Sequence, residues 1–307
     1  MRTIRSLQQL APQASLAVIV NCGTKTVTTL ALASALRRTN CPVLLIDCAS
    51  RDGSSAHFAR LAPRLERDFT WLSWPLRPHG LTLDALCAAA PAEAILLIDS
   101  DLEILDSRVV SAMQSALAQD ATAYGAGFLH RQAWLGAQHG VAERVGRYAE
   151  RMWIPLTLLR LAPVQEQLRR GVSFAQRRDF LEFPGHPRLS RWLGCRYWLP
   201  GLRRAWPPAS ARAISADEQP LPAFVEHDTG ALMHRALVQA GRSFATLDVG
   251  LWGDVRHLHG VTRAGVSGRL HRLARRIGVL SGAPGRAEES AAVAVRERLR
   301  DEYGITI

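Results

Sequence analysis

The stretch AILLIDSDLEIL, residues 94–105, decides how this sequence folds. An apolar run from Ala94 to Ile98 stops at Asp99-Ser100-Asp101. A short, wholly apolar run reads as a strand buried on both faces, and its polar end reads as the point where the strand leaves the core. Two further runs upstream behave alike. LAVIVNCG, residues 16–23, ends at Asn21 and a turn, and Val43–Ile46 ends in Asp47-Cys48-Ala49-Ser50-Arg51-Asp52-Gly53-Ser54. Between the first two runs, Thr26–Arg38 reads as a helix with Leu30, Ala31, Ser34 and Ala35 on one face; a second helix is expected over Leu81–Ala90. The first hundred residues thus read β-α-β-loop-α-β, the start of an α/β doubly wound, mostly parallel sheet with flanking helices. Such sheets bind ligands beyond the carboxyl ends of their strands. Asn21, Asp47 and Asp99 all fall there.

Composition is consistent with this. Of 307 residues, 48% are hydrophobic and 21% charged, enough for a sizeable core. No apolar run reaches the roughly 18–20 residues that span a bilayer, and the basic start MRTIRSLQQLAPQ has no apolar segment of a secretory signal. Five cysteines (22, 41, 48, 87 and 195), an odd number without a C-x-x-C pair, suggest reduced thiols and a cytoplasmic setting. The net charge is +11, and Lys25 is the one lysine among 38 basic residues. From Val255 to Ala287 there are seven arginines and no acid. Charge of this sign favours phosphate-bearing ligands, nucleic acid or anionic headgroups, without choosing among them.

From Arg144 to Arg212, fourteen arginines face four acids, with Trp153, Trp192, Trp198 and Trp206 and prolines at 155, 163, 184, 187, 200, 207 and 208. This segment reads as a helical or irregular insertion packed on the sheet. Val266, Leu270, Leu273, Ala274 and Ile277 recur at helical spacing opposite Arg269, Arg272, Arg275 and Arg276. That basic amphipathic helix is either a solvated face or a peripheral contact with an anionic membrane surface. Aromatics do not alternate with its arginines, so base stacking on nucleic acid is disfavoured. SGAPGRA, residues 281–287, reads as a link to a last short helix.

No G-x-G-x-x-G follows the first strand, and Gly23-Thr24-Lys25-Thr26 lacks the upstream glycine of a phosphate-cradling loop. A nucleotide here would be held by side chains and a metal. Asp99 and Asp101 are suited to Mn2+ or Mg2+, hard cations that take oxygen ligands and commonly share them with substrate phosphates.

On these motifs the first hundred residues resemble the GT-A glycosyltransferases, in particular the family 2 type. The resemblance runs through LAVIVNCG, VLLIDCASRDGS and HGLTLDALCAAAPAEAILLIDSD, covering residues 16–105 well and the remainder in patches. It implies a sugar-transferring enzyme that moves a glycosyl residue from a nucleotide sugar to a hydroxyl of a saccharide or lipid-linked acceptor, with inversion. Asp47 would contact the base, with Cys48 standing where the family usually has a second Asp. Asp99 would face the ribose and Asp101 would ligate the metal, with Asn21 completing the donor set. Glu226-His227-Asp228-Thr229-Gly230 is similar to the family's Glu-Asp motif, so Asp228 becomes the expected general base and Glu226 the fallback. By residue chemistry alone Asp228 is a helix N-cap. His257, ahead of His259, matches the histidine that reaches back to the metal in many GT-A enzymes; ordinary surface histidines are the alternative.

The expected organisation is a catalytic domain over 1–262, with a donor half at 16–105 and an acceptor half at 106–262, then a basic helical extension at 263–307. Two competing functions share the wound sheet. One is a sugar-phosphate nucleotidyltransferase, for which NCGTKT is a poor substitute for the usual glycine- and arginine-rich loop. The other is a catalytically silent GT-A-like module that binds saccharide or nucleic acid.

Overall fold

The computed structural model describes residues 1–134, 146–180, 188–189, 192, 224–258 and 285–307. The basic helix expected over 266–277, His259, Trp198, Trp206 and Cys195 lie outside the described residues.

The three strands and two helices read from the first hundred residues are present with small shifts at their ends, but the stretch read as a loop holds a further helix and strand, and another strand comes first. β1 (Arg2–Ile4) and β2 (Gln13–Asn21) lead into α1 (Lys25–Arg38), followed by β3 (Val43–Cys48), α2 (Ser54–Leu61), β4 (Thr70–Trp74), α3 (His79–Ala89) and β5 (Ala92–Asp99). These five strands lie side by side in the order β1-β4-β3-β2-β5, every pair parallel. Successive residues of one strand face opposite sides of a sheet. Accordingly Ala17, Ile19, Leu45, Leu96 and Ile98 enter one core cluster, and Leu16, Val18, Leu44, Ile46, Ile95 and Leu97 the other. That is why these runs are apolar throughout rather than alternating.

The chain continues through β6 (Leu102–Ile104), α4 (Arg108–Gln119) and β7 (Ala123–His130), then β8 (Ala133–Trp134) and β9 (Gly146–Tyr148). Next come β10 (Arg151–Arg160), α5 (Leu161–Arg169), β11 (Arg177–Phe180), β12 (Phe224–His227), α6 (Ala231–Gln239), β13 (Ser243–Thr246), β14 (Val255–His257) and α7 (Gly285–Tyr303). β5, β10, β7 and β13 complete an eight-stranded sheet in that order. β10 is the strand that runs against the rest. A second sheet has the order β11-β12-β9-β8, and β14 pairs antiparallel with β6.

β10 corrects the reading of Arg144–Arg212 as an insertion laid on the sheet. Residues 151–160 form a central strand, buried from Met152 to Leu159. Pro155 does not break it, because the ladder to β7 shifts register between Met152 and Thr157, and the proline sits in that irregular stretch. Trp153 is 3% exposed and belongs to the core.

α1, α4 and α7 cover one face of the sheet; α3, α5 and α6 cover the other. The last helix is longer than its sequence suggested, spanning 19 residues. Its Val295 and Leu299, with Ile305 beyond it, are buried in the core cluster that α1 helps to form. Arg37 of α1 donates to the Glu302 carbonyl at 2.7 Å, and its guanidinium lies 4.6 Å from the centre of the Tyr303 ring. Among the described residues no helix is long and apolar enough to cross a membrane.

Candidate functional site

The carboxyl ends of β2, β3 and β5 meet at one edge of the sheet, where the register sets Asn21 beside Asp47 and Val20 beside Asp99. Asn21 is wholly buried and acts as a hub. Its Nδ2 donates to Asp47 Oδ1 at 2.6 Å, Ser54 Oγ at 3.0 Å and Ser50 Oγ at 3.1 Å. Its Oδ1 accepts from the Thr24 amide at 3.2 Å and from the hydroxyls of Thr28 and Thr24 at 2.9 and 3.0 Å. The amide orientation follows from the Thr24 backbone N–H, which can only donate and so must face Oδ1.

The loop after β3 wraps this hub. Ala49 has φ of +51°, a left-handed conformation unusual for a residue with a Cβ. The turn brings the Ser50 amide to Asp47 Oδ2 at 3.2 Å and the Gly23 amide to Ser50 Oγ at 2.8 Å. Asp52 accepts from the Lys25 amide at 3.2 Å, and the Lys25 ammonium donates to the Asp52 carbonyl. The sequence singled out Asn21 and Asp47 but not the serines and threonines that orient them. The polar run Cys48–Ser54 was the available signal.

The second group forms where β5 ends. Oxygen atoms of Asp99 and Asp101 and a ring nitrogen of His257 all lie within 4.8 Å of one another. His257 Nε2 stands 3.2 Å from Asp101 Oδ1. Backbone pairing makes this contact across more than 150 residues. β14 runs antiparallel to β6 with His257 opposite Leu102, and the Leu258 amide donates to the Asp101 carbonyl at 2.8 Å. Trp153 braces the imidazole edge-on, with ring centres 5.6 Å apart. Burial, followed by the neighbouring Asp101, raises the Asp99 carboxyl above its ordinary value against the pull of His79, His257 and Arg151. Two carboxylates and an imidazole, crowded together and partly desolvated, are a donor set that fits a divalent cation.

Asp228 follows β12. It does not cap α6; that position belongs to Gly230, with φ of +86°. A Cβ there would approach Ile154 Cδ1 to 2.9 Å. Instead Asp228 Oδ1 accepts from the Thr229 amide at 2.8 Å, and Oδ2 pairs with Arg151 at 2.9 Å. Arg151 opens β10, and its charge is felt at Asp99, so it links the two acidic groups. The sequence reading missed it because it sits in an arginine-rich stretch with no motif around it. His234 of α6 steadies the turn that carries it, contacting Glu150 Oε1 at 3.2 Å and the Tyr124 hydroxyl at 2.5 Å.

Glu226 is placed differently. It is 3% exposed, accepts from Gln176 Nε2 at 2.5 Å, and pairs with Arg178. His227 is also buried, facing Asp179 at 3.1 Å, and burial holds its ring below the usual histidine value.

No family model and no curated protein matches this sequence. Among solved structures, similarity extends to the mannosyltransferase PcManGT from Pyrobaculum calidifontis in complex with GDP-Man and Mn2+, at 12% identity over 94% of this chain and 72% of that chain, TM-score 0.44. It extends to S. aureus TarS 1–349 at 15% identity over 50% of this chain, TM-score 0.35. It also extends to 4-diphosphocytidyl-2C-methyl-D-erythritol synthase from Anaerococcus prevotii, at 10% identity over 52% of this chain and 75% of that chain, TM-score 0.37. The chain spans 48% of the length of the TarS fragment. Likeness at this level transfers no chemistry; the side chains have to supply it.

Proposed function

We propose that this protein is a GT-A glycosyltransferase of the family 2 type, moving a sugar from a nucleotide donor to a hydroxyl of a saccharide or lipid-linked acceptor. The observation that carries this reading is the meeting of the Asn21–Asp47 hub with Asp99, Asp101 and His257 at one edge of the sheet. A nucleotide sugar presents a base and ribose at one end and a diphosphate at the other. In this reading Asp47, held by Asn21 and Ser50, meets the base, and Asp99 meets the ribose.

Asp101 and His257, with Asp99 beside them, would hold Mn2+ or Mg2+. Such an ion, when bound, supplies positive charge to a diphosphate leaving group. Residues 16–105 form the donor half and 106–262 the acceptor half. Asp228 is the group that takes the acceptor hydroxyl's proton, as an inverting displacement requires. Each of its oxygens accepts one bond from Thr229 or Arg151 and keeps a lone pair for the acceptor. Glu226 is the weaker candidate, because its carboxylate is buried against Gln176 and Arg178, whereas that of Asp228 is 31% exposed and open to an acceptor. A cytoplasmic role in building a cell-envelope polysaccharide would suit a nucleotide-sugar donor.

Calorimetry with UDP, GDP and dTDP, with and without Mn2+, tests the donor site. Binding of one nucleotide that weakens on addition of EDTA supports it; absence of binding to all three sinks it. Asp228→Asn is expected to remove transfer while nucleotide affinity stays within about twofold.

A further inference from the structure

Two residues beyond Asp101, β6 carries a carboxylate that the donor reading does not use. Glu103 is completely buried. A buried carboxylate without partners is costly, so the groups that neutralise it indicate what the fold needs to hold together. Its partners come from two other elements. Arg298 Nε and the Tyr303 hydroxyl, both on α7, donate to Oε1 at 2.9 Å each. Arg256 of β14 places Nη1 3.7 Å from Oε2. Arg256 is the cross-strand neighbour of Glu103 and the residue just before His257.

We propose that Glu103 is a positioning residue through which the C-terminal helix holds the β6–β14 pair, and hence Asp101 and His257, in register for metal binding. Asp101 leads into β6 and His257 ends β14, and the strands share only three paired positions. A ladder so short has little stability of its own. On one side β6 is tied to α1 by the Ile104 amide donating to Ser34 Oγ at 3.1 Å. On the other, Glu103 collects α7 and β14 into one ion cluster. Residues near 100, 256 and 300 are thereby joined at one buried group. The metal-related part of this inference rests on the proposed donor site; the clamp itself does not.

Arg298→Ala, Tyr303→Phe and Arg298→Lys are compared with wild type in two measurements. The first is calorimetric titration of Mn2+ in the presence of whichever of UDP, GDP or dTDP the wild type binds. Arg298→Ala should weaken Mn2+ roughly tenfold, the scale seen when a group supporting metal ligands is removed. Metal-free nucleotide binding should stay unchanged, and Arg298→Lys should recover part of the loss. The second is amide hydrogen exchange, which needs no ligand. Exchange at 101–104 and 255–258 should quicken in Arg298→Ala while β2, β3 and β5 keep their protection.

Tyr303→Phe keeps the ring and removes one donor, so it decides the matter if Arg298→Ala does not fold. A folded Arg298→Ala or Tyr303→Phe with wild-type exchange at both segments overturns the proposal. Quickened exchange with unchanged Mn2+ affinity leaves a clamp but overturns its role at the metal. If the wild type shows no Mn2+-dependent binding, the donor reading fails and exchange alone judges the clamp.

Discussion

Replacing Asn21 with Asp is the sharpest test of the hub. The substitution keeps shape and volume but replaces an amide that donates to three acceptors with a second carboxylate. In the folded protein the new oxygen would stand about 2.6 Å from Asp47 Oδ1, with Ser50 and Ser54 Oγ also within reach. Two unit charges about 3 Å apart repel by about 5 kcal/mol at an effective dielectric of about 20. One carboxyl of the pair must therefore stay protonated in the folded state well above the ordinary aspartate value of about 3.9.

The sign follows from linkage. A carboxyl whose folded value is raised is tolerated below its unfolded value and costs stability as the pH rises towards the folded one. At about 1.4 kcal/mol per pH unit, the electrostatic cost is about 1.5 kcal/mol at pH 5. It grows by about 1.4 kcal/mol for each further pH unit towards the repulsion of about 5 kcal/mol, a large part of an ordinary domain's stability. Urea unfolding of both proteins at pH 5 and pH 8 measures the difference. A variant within about 1 kcal/mol of wild type at pH 8 would refute the hub, as would an equal loss at both pH values.

Three other expectations can be checked alongside. Gly80 lets α3 pack against residues 174–175: a Cβ there would come within 2.5 Å of Ala175 Cα and 2.6 Å of the Phe174 carbonyl oxygen. Gly80→Ala should therefore lower stability by about 2–3 kcal/mol in a melt, as forced overpacking does. Glu226→Gln loses the Arg178 pair, whose guanidinium is partly in water. It should cost about 1–2 kcal/mol of stability yet, under the proposed function, retain transfer per folded molecule, whereas Asp228→Asn should fold but lose transfer. Burial lifts the Cys48 thiol to about 11 and Cys87 to about 12, and raises Cys22, further lifted by Asp47 and Asp52. At pH 8, peptide mapping after iodoacetamide should show Cys22 labelled slowly, faster as the pH rises, and protected by bound nucleotide, with Cys48 and Cys87 unmodified.

The parallel half of the sheet was legible because strands buried on both faces leave an unmistakable trace: Leu16–Val20, Val43–Ile46 and Ala94–Ile98 have no polar side to confuse them. Their polar ends were legible for the same reason. β10 was not, because Pro155 at its centre and arginines at both ends mimic a broken surface segment; only the register shift opposite β7 shows how the proline is accommodated. Asp99 and Asp101 could be paired from their spacing, and His257 was anticipated through the family likeness. What brings it to Asp101 is a three-residue ladder that no local pattern announces. Arg151 and Glu103 were invisible alone, since each draws its meaning from partners far along the chain. Asp228 looked like an N-cap by residue type, but the left-handed Gly230 took that position and released the carboxylate to Arg151.

The docking of α7 on α1 also bears on the order in which the molecule is completed. Arg37 and Glu302 meet across 265 residues, and Glu103 and Tyr303 across 200. Contacts of such separation form late, since a long loop must close before they repay its entropy. During synthesis, strands β1 to β5 are complete by Asp99, yet α1 keeps part of its apolar flank bare until Val295 and Leu299 leave the ribosome. Until then Glu103 lacks both donors from α7. The nascent chain therefore carries a β6–β14 pair not yet latched by α7, and a stalled or truncated product would expose a sticky surface for chaperones and proteases to act on.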